Sequence, residues 1–319
     1  MRRSRIALVN ADDLDSTLRE FLDCCRTKNL SPHTIGYYRD RLRQFFEFCR
    51  NQLGVTEINS VSAAEVRAFV THGLDLGYSI STINHTLGAA RTLFNYLVEE
   101  DRLSKSPLTR VKPLRAQKRL IQTFSDDQVD RMLAQCSRKT FIGLRNRAMI
   151  LTLLDTGLRV SELCGLMTAD IDWSSGFVSV FGKGSKQRLL PFGASVRKAL
   201  HEYLERRGDI HGKHQVFLSQ YAEPLGRRVV NVIVQRLGEK AGVSGVRVSP
   251  HTSRHTFAKN WILNGGDPFS LQRILGHTTQ QMVAQYVNLA ADDIRVQHSK
   301  FSPADRLAKA AAGRRVVLR

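Results

Sequence analysis

The chain has 319 residues, enough for one large domain or two ordinary ones, and its 42% hydrophobic content excludes a disordered chain. Its 48 lysines and arginines outnumber its 29 acidic residues, and a net charge of +19 favours a polyanionic partner, usually nucleic acid. No apolar run approaches the roughly 18–20 residues of a membrane span, so no membrane association is expected. The five cysteines are an odd number without a CxxC pair, which predicts neither disulfides nor a zinc site and fits a reducing cytoplasm.

Helical patterns fill the first third of the chain, which we interpret as a helical domain over residues 1–112. Ser31 followed by Pro32 is a favourable helix start, because a capping side chain precedes a proline at the first helical position. Ser62 and Glu65 match a capping box. Helices are predicted over 13–26, from 32 to about 49, from 63 onward and over 81–99. We expect them to form a four- or five-helix bundle.

A basic linker is predicted over residues 113–121, because prolines interrupt the helical pattern in this region. Arg115, Lys118 and Arg119 give it a strong positive charge, so it can lie along DNA phosphates. The alternative is a solvated charged loop.

The remaining residues, 122–319, are predicted to form a mostly helical second domain with a small sheet. Segments 177–180 and 188–190 flank a glycine-containing turn, which is typical of a β-hairpin. Helices are predicted from Ser125, which heads another capping box, to 135, and over 144–156, 193–207, 227–241, 251–264, 268–275 and 279–288. Residues 113–319 carry 32 basic and 16 acidic side chains, whereas residues 1–112 carry 16 and 13, so most of the positive charge follows the bundle.

Several segments of the second domain carry residues suited to phosphate chemistry. In chain order they are Arg159 after a glycine break, Lys183 in the hairpin turn, His251 and Arg254 at one helix start, His277 after a helix-ending glycine, and Tyr286 nine residues later. The three-residue spacing of His251 and Arg254 places both on one helix face. Taken singly, each residue has an ordinary alternative as a helix cap, a solvated turn residue or a packed core tyrosine. Tyr203 and Tyr221 are rival tyrosines, but neither follows a leucine-glycine-histidine sequence.

The ordered set resembles the tyrosine recombinase family, which includes phage integrases and Xer recombinases. That family carries an arginine in a TGLRxxEL stretch, a lysine in a hairpin, an HxxR box, an LGH box and a tyrosine about nine residues beyond it, and all five occur here. The resemblance covers nearly the whole chain. It implies a mainly α fold with a small β-sheet, in which an N-terminal SAM-like core-binding bundle precedes an α+β catalytic domain. One departure is Ser253, where many relatives have leucine, and it weakens assignment to the housekeeping Xer subgroup.

The resemblance also implies a reaction. Tyr286 would attack the scissile phosphate and form a 3′-phosphotyrosine, which stores the phosphodiester energy for rejoining. Arg159 and Arg254 would hold the non-bridging oxygens, since a guanidinium binds phosphate through two parallel hydrogen bonds. Lys183 would protonate the leaving 5′ oxygen. His251 would assist proton removal from the tyrosine.

Supporting residues follow from the same resemblance and from position. His277 would hydrogen-bond to the phosphate, and Glu162 matches an acidic position that helps to orient the site in relatives. Lys186 and Arg188, beside the hairpin turn, are predicted phosphate contacts. No cofactor or metal is expected, because no acidic cluster suggests a two-metal nuclease.

The implied substrate is double-stranded DNA with a specific core site, acted on in integration, excision or resolution, as in transposition and other mobile-element reactions. A homotetramer on two sites would exchange strands through a Holliday junction, with or without an accessory protein or partner recombinase. The segment after Tyr286, with Phe301 and Leu307, would pack on a neighbouring protomer. A type IB topoisomerase and a DNA-binding protein with an inactive site remain the alternatives.

Overall fold

The computed structural model describes residues 13–115, 121–181, 187–276 and 280–289, together with 298, 302–305 and 307. The chain divides into two compact units, Met1–Arg119 and Leu120–Arg319, and this division falls inside the predicted basic linker. Across the described ranges, no helix combines the length and apolar character needed to cross a bilayer.

Helices account for most of the described part of the first unit. They are α1 (Leu14–Thr27), α2 (Pro32–Leu53), α3 (Ala63–Asp75) and α4 (Ile80–Glu99), with a 3-10 turn at Ile58–Ser60. The predicted caps start two of them: the Ser31 hydroxyl accepts the N–H of Thr34, and Ser62 and Glu65 form a reciprocal capping box. Buried leucine and phenylalanine side chains fill the space between the helices, among them Leu42, Phe45, Phe46, Phe69, Leu87 and Phe94.

The second unit combines helices with a small antiparallel sheet. The helices are α5 (Asp126–Ala134), α6 (Phe141–Thr156), α7 (Val160–Gly165), α8 (Ala194–Arg207), α9 (Arg227–Lys240), α10 (Pro250–Leu263), α11 (Pro268–Leu275) and α12 (Gln281–Leu289). The strands are β1 (Ile171–Asp172), β2 (Phe177–Phe181) and β3 (Gln187–Pro191), in the order β1-β2-β3. The predicted fold class, mainly helical with a small sheet, is confirmed.

Two local differences from the sequence prediction have simple causes. Helix α6 begins three residues earlier than expected, because the Thr140 hydroxyl accepts the N–H of Gly143 and caps the first turn. Strand β1 was not expected; it has only two residues, and pairing with β2 in the register Ile171 to Val178 defines it.

Helix α6 lies in the core of the second unit, where it contacts both α8 and α10. A smaller apolar cluster joins α10, α11 and α12, and it is formed by Phe257, Ala258, Ile262, Leu271, Leu275, Val283 and Tyr286. These three helices carry the HxxR box, the approach to the LGH box and the predicted nucleophile, so their packing sets the geometry of the candidate site.

Candidate active site

A sharp break between α6 and α7 positions Arg159. Gly157 ends α6 in the left-handed region with φ +62°, a conformation that glycine adopts without strain. A Cβ at this position would lie 2.6 Å from the ring of Phe257, so the tight packing also requires glycine. The chain then leaves the helix axis, and Arg159 takes the N-terminal cap position of α7.

Glu162 joins two arginines in a partly buried ion-pair network. Its Oε1 accepts hydrogen bonds from Arg159 Nη1 at 2.9 Å and from Arg188 Nη1 at 2.8 Å. Its Oε2 accepts from Arg188 Nη2 at 2.7 Å and from the backbone N–H of Arg159 at 2.8 Å. Burial raises the pKa of Glu162, but hydrogen bonds from Arg188 and Arg159 outweigh it and lower that pKa overall. The carboxylate therefore stays charged and fixes the start of α7.

Arg188 connects three elements of the second unit. It lies in β3 and donates two parallel hydrogen bonds to the carboxylate of Glu162 in α7. Its Nε donates a third to the carbonyl of Ile274 in α11 at 3.0 Å. Its side chain is only 13% exposed. The sequence placed Arg188 among phosphate contacts, and that prediction stays untested, but these internal partners favour a positioning role. Arg159 completes the connection, because its Nη2 donates to the carbonyl of Gly276 at 3.2 Å.

Arg254 is held by backbone carbonyls beneath the same surface. The residue is 4% exposed. Its Nη1 donates a hydrogen bond to the carbonyl of Gly157 and its Nη2 donates one to the carbonyl of Leu275, each at a distance of 2.5 Å. Burial, with the nearby Arg159, lowers the pKa of Arg254 to about 10, so the guanidinium remains charged at neutral pH. The two predicted arginines are therefore both anchored where α6 gives way to α7 and where α11 ends.

His251 lies at the start of α10, one turn before Arg254 on the helix surface. Ser249 caps this helix by accepting the N–H of Thr252, and Pro250 occupies its first turn. His251 is exposed, and desolvation of its ring, followed by the charge of Arg254, lowers its pKa. A neutral imidazole is therefore favoured at neutral pH. The next residue but one, Ser253, is buried, and its hydroxyl has no hydrogen-bond partner among the described residues.

Tyr286 is buried, and its hydroxyl contacts a histidine that the sequence reasoning missed. The residue is 2% exposed, and its Oη lies 2.6 Å from Nδ1 of His255. His255 follows Arg254 directly and lies four residues after His251, with the two imidazole ring centres 4.2 Å apart. The signal was present in the sequence, since residues four apart share a helix face. The rival tyrosines differ: Tyr203 is fully buried with its hydroxyl accepting the N–H of Leu218, and Tyr221 is 78% exposed.

Most of the remaining predicted residues fall in segments that the structure does not describe. Lys183, Lys186, His277, Lys118 and Arg119 lie outside the described residues, as does Phe301. Arg115 is exposed near the end of the first unit, and its DNA contact stays a prediction.

The geometry brings together two fixed guanidinium groups, a surface imidazole and the phenol of Tyr286 in α12, which contacts His255 one helical turn after His251. Fixed cations can bind a phosphoryl group and stabilise negative charge developing on its oxygens, without moving during the reaction. The phenol supplies a nucleophile of the kind that forms covalent intermediates.

Comparison with known proteins identifies the family. Residues 122–292 match the model of the phage integrase family, and residues 18–101 match the phage integrase N-terminal SAM-like domain. The tyrosine recombinase XerC of Bacillus pumilus is 32% identical over 86% of this chain and 92% of its own length. XerC of Halalkalibacterium halodurans is 34% identical over 86% of this chain and 93% of its own. The chain therefore belongs to the phage integrase family of tyrosine recombinases, and the resemblance drawn from the five sequence elements is confirmed.

Solved structures share the fold. The Tn1549 transposon integrase in complex with transposon right end DNA superposes with a TM-score of 0.73, with 22% identity over 89% of this chain and 99% of that one. The XerH site-specific recombinase bound to a palindromic difH substrate gives a TM-score of 0.71, with 20% identity over 88% of this chain and 83% of that one.

Proposed function

We propose that this tyrosine recombinase binds a specific core site in double-stranded DNA and cleaves it through Tyr286, forming a 3′-phosphotyrosyl bond and a free 5′ hydroxyl. The observation that carries the proposal is the convergence of Arg159, held by Glu162, and Arg254, held by buried hydrogen bonds to two backbone carbonyls, near the surface that also presents His251. DNA enters as the substrate because solved relatives are described in complex with DNA and because this chain carries a net charge of +19.

The two arginines hold the non-bridging oxygens of the scissile phosphate. Their positive charge stabilises the additional negative charge of the pentacoordinate transition state, and their anchoring means that little reorganisation is needed. His251 is exposed and favours its neutral form. It forms a hydrogen bond with the same phosphate and assists removal of the phenol proton. Lys183 protonates the leaving 5′ oxygen, and His277 adds a hydrogen bond to the phosphate.

Rejoining reverses these steps. The 5′ hydroxyl of a partner strand attacks the phosphotyrosine, so the phosphodiester energy is conserved and neither a nucleotide nor a metal ion is consumed. Four protomers on two sites exchange strands pairwise through a Holliday junction. The segment that follows Tyr286, including Leu307, docks on a neighbouring protomer, and Arg115, Lys118, Arg119 and Lys186 contact phosphates. The products are integrated, excised or resolved DNA.

The proposal is tested with a nicked suicide substrate in EDTA, built on a core site selected by binding from a pool of random duplexes. We expect wild-type protein to form a covalent adduct, and paired intact sites to yield recombinants. Tyr286→Phe should bind the DNA with nearly unchanged affinity and form no adduct. Tyr203→Phe is the matched control, because that tyrosine serves packing, and it should keep adduct formation.

The alternatives give different outcomes in the same assays. A type IB topoisomerase relaxes supercoiled DNA without pairing sites and yields no recombinants, whereas a binding protein yields no adduct. An adduct that persists in Tyr286→Phe, or cleavage that requires Mg²⁺, would contradict the proposal.

A further inference from the structure

The nucleophile of the proposed reaction is withdrawn from the surface that its substrate must reach. Tyr286 is 2% exposed, whereas His251, at the N-terminal end of the same face of α10, is exposed. His255, the hydrogen-bond partner of the phenol, lies four positions after His251, which corresponds to a rise of about 6 Å along the helix axis. The phenol oxygen is therefore held by the half-buried histidine of this pair, whose ring centre lies 4.2 Å from that of the exposed His251.

We propose that His255 is a positioning residue that holds Tyr286 in a withdrawn resting position, and that this hydrogen bond breaks before the tyrosine attacks DNA. The inference rests on the proposed function of Tyr286 and goes beyond it, because it assigns a regulatory contact to a residue outside the predicted catalytic set. The contact carries the proposal: Nδ1 of His255 and Oη of Tyr286 are 2.6 Å apart and join α10 to α12.

The pKa values indicate that His255 holds the phenol by accepting its hydrogen bond, a contact called the latch below. They argue against His255 as a base that removes the phenol proton. Burial, followed by the charges of His251 and Arg254, lowers the pKa of His255 to about 4. Burial raises the pKa of the Tyr286 phenol above its ordinary value of 10.0, and Arg254 offsets only part of this rise. The imidazole is therefore the much weaker base of the two, and the proton stays on the phenol. In this arrangement the phenol donates and the neutral imidazole accepts.

Among the described residues, the surroundings of the pair are apolar apart from the cationic site. Leu271 and Leu275 of α11 and Val283 of α12 pack in the same cluster, and the charged or titratable neighbours that act on the pair are His251 and Arg254 of α10. A hydrogen bond in such surroundings is protected from competition by water. Since the ordinary working range lies far above a pKa of about 4, the latch is insensitive to pH there, and its release depends on DNA or a neighbouring protomer.

Breaking the latch should expose the tyrosine even without DNA. Loss of one neutral hydrogen bond shifts a two-state equilibrium by about two- to tenfold. His255→Phe fills the ring volume but provides no acceptor, whereas His255→Asn places its amide oxygen near the position of Nδ1 and keeps an acceptor that cannot serve as a base. The two variants therefore separate hydrogen bonding from packing and from proton transfer.

The first experiment measures nitration of individual tyrosines by tetranitromethane in the DNA-free protein, with peptide mass spectrometry. Tyr221, 78% exposed, reports full reactivity, and the fully buried Tyr203 reports an intact fold. We expect nitration of Tyr286, relative to Tyr221, to rise about two- to tenfold in His255→Phe and to stay within twofold of wild type in His255→Asn. If Tyr203 also reacts in His255→Phe, the comparison is made with His255→Leu.

The second experiment measures the single-turnover rate of adduct formation on the nicked suicide substrate at pH 6 to 9. The latch predicts an adduct rate raised two- to tenfold in His255→Phe and near wild type in His255→Asn, with ratios that do not change with pH. Unchanged nitration of Tyr286 in the Phe and Leu variants, or a slower rate in both Asn and Phe variants, would overturn it. If wild-type protein forms no adduct while the nitration pattern is as expected, the proposed function fails and the latch does not.

Discussion

Glu162 occupies the position on which the cationic site depends most. Its carboxylate is 6% exposed and accepts hydrogen bonds from both Arg159 and Arg188. A buried ion pair contributes little net stability compared with an apolar replacement, but removing one partner leaves uncompensated charge and costs about 3–5 kcal/mol. Arg188, in turn, binds the carboxylate through two nitrogens, a geometry that lysine cannot reproduce.

Glu162→Gln is therefore expected to destabilise the second unit by about 3 kcal/mol in urea denaturation and to slow adduct formation at least about tenfold. Arg188→Lys should act in the same direction with a smaller effect. Because the pKa of Glu162 is lowered in the folded protein, its contribution is fully present above its unfolded pKa near 4.5 and is lost as pH falls below that value. Asp127→Asn is the control, since its pair with Arg131 is exposed and contributes at most about 1 kcal/mol. Equal stability of Glu162→Gln and Asp127→Asn would contradict this account.

At the level of elements, two glycines end helices in the same backbone conformation, and one of them, Gly157, directs the chain toward the site. Gly157 and Gly54 both end helices with positive φ, +62° and +67°, so alanine at either position is strained. They differ in their surroundings, because a Cβ on Gly157 would meet Phe257 and Leu275, whereas nothing lies within 4 Å of a Cβ on Gly54.

Gly54→Ala should therefore cost about 1–2 kcal/mol, measured on the unfolding transition of the first unit. Gly157→Ala should cost a further 1–3 kcal/mol or so in the second unit, and it should also slow adduct formation, because Arg159 lies two residues beyond the displaced turn. Similar losses of stability for the two variants, with adduct formation unaffected, would show that packing against Phe257 does not matter.

Most of the helices and the order of the predicted catalytic residues could be predicted from the sequence, because the signals for them lie within a few neighbouring residues. The serines at 31, 62 and 125 cap helices through contacts within three residues, so their signals are readable without tertiary structure. The roles of Arg188 and His255 depend on partners 26 and 31 residues away, Glu162 and Tyr286, which no local pattern specifies. Strand β1 is equally nonlocal, since two residues carry no alternation and only pairing with β2 defines it.

At the scale of the whole molecule, charge is distributed unevenly. Residues 113–319 carry 32 basic and 16 acidic side chains, so the larger share of the +19 net charge follows the helical bundle. Binding that neutralises several phosphates releases condensed counterions and is strongly salt-dependent.

We therefore expect the affinity for the core-site duplex to fall about a thousandfold or more between 50 and 200 mM salt, measured by fluorescence anisotropy. Tyr286→Phe should show the same slope, because a phenol neutralises no phosphate. An affinity that does not change with salt concentration would contradict electrostatic contact between this protein and DNA phosphates.

The central claim is that Tyr286 becomes covalently bonded to DNA. Its most direct test is proteolysis of the adduct trapped on the suicide substrate, followed by mass spectrometry of the nucleotide-bearing peptide. We expect a 3′-phosphate ester on Tyr286 and a free 5′ hydroxyl on the released strand. Attachment to Tyr203, Tyr221 or a serine, or a 5′-phosphate on the released strand, would contradict it.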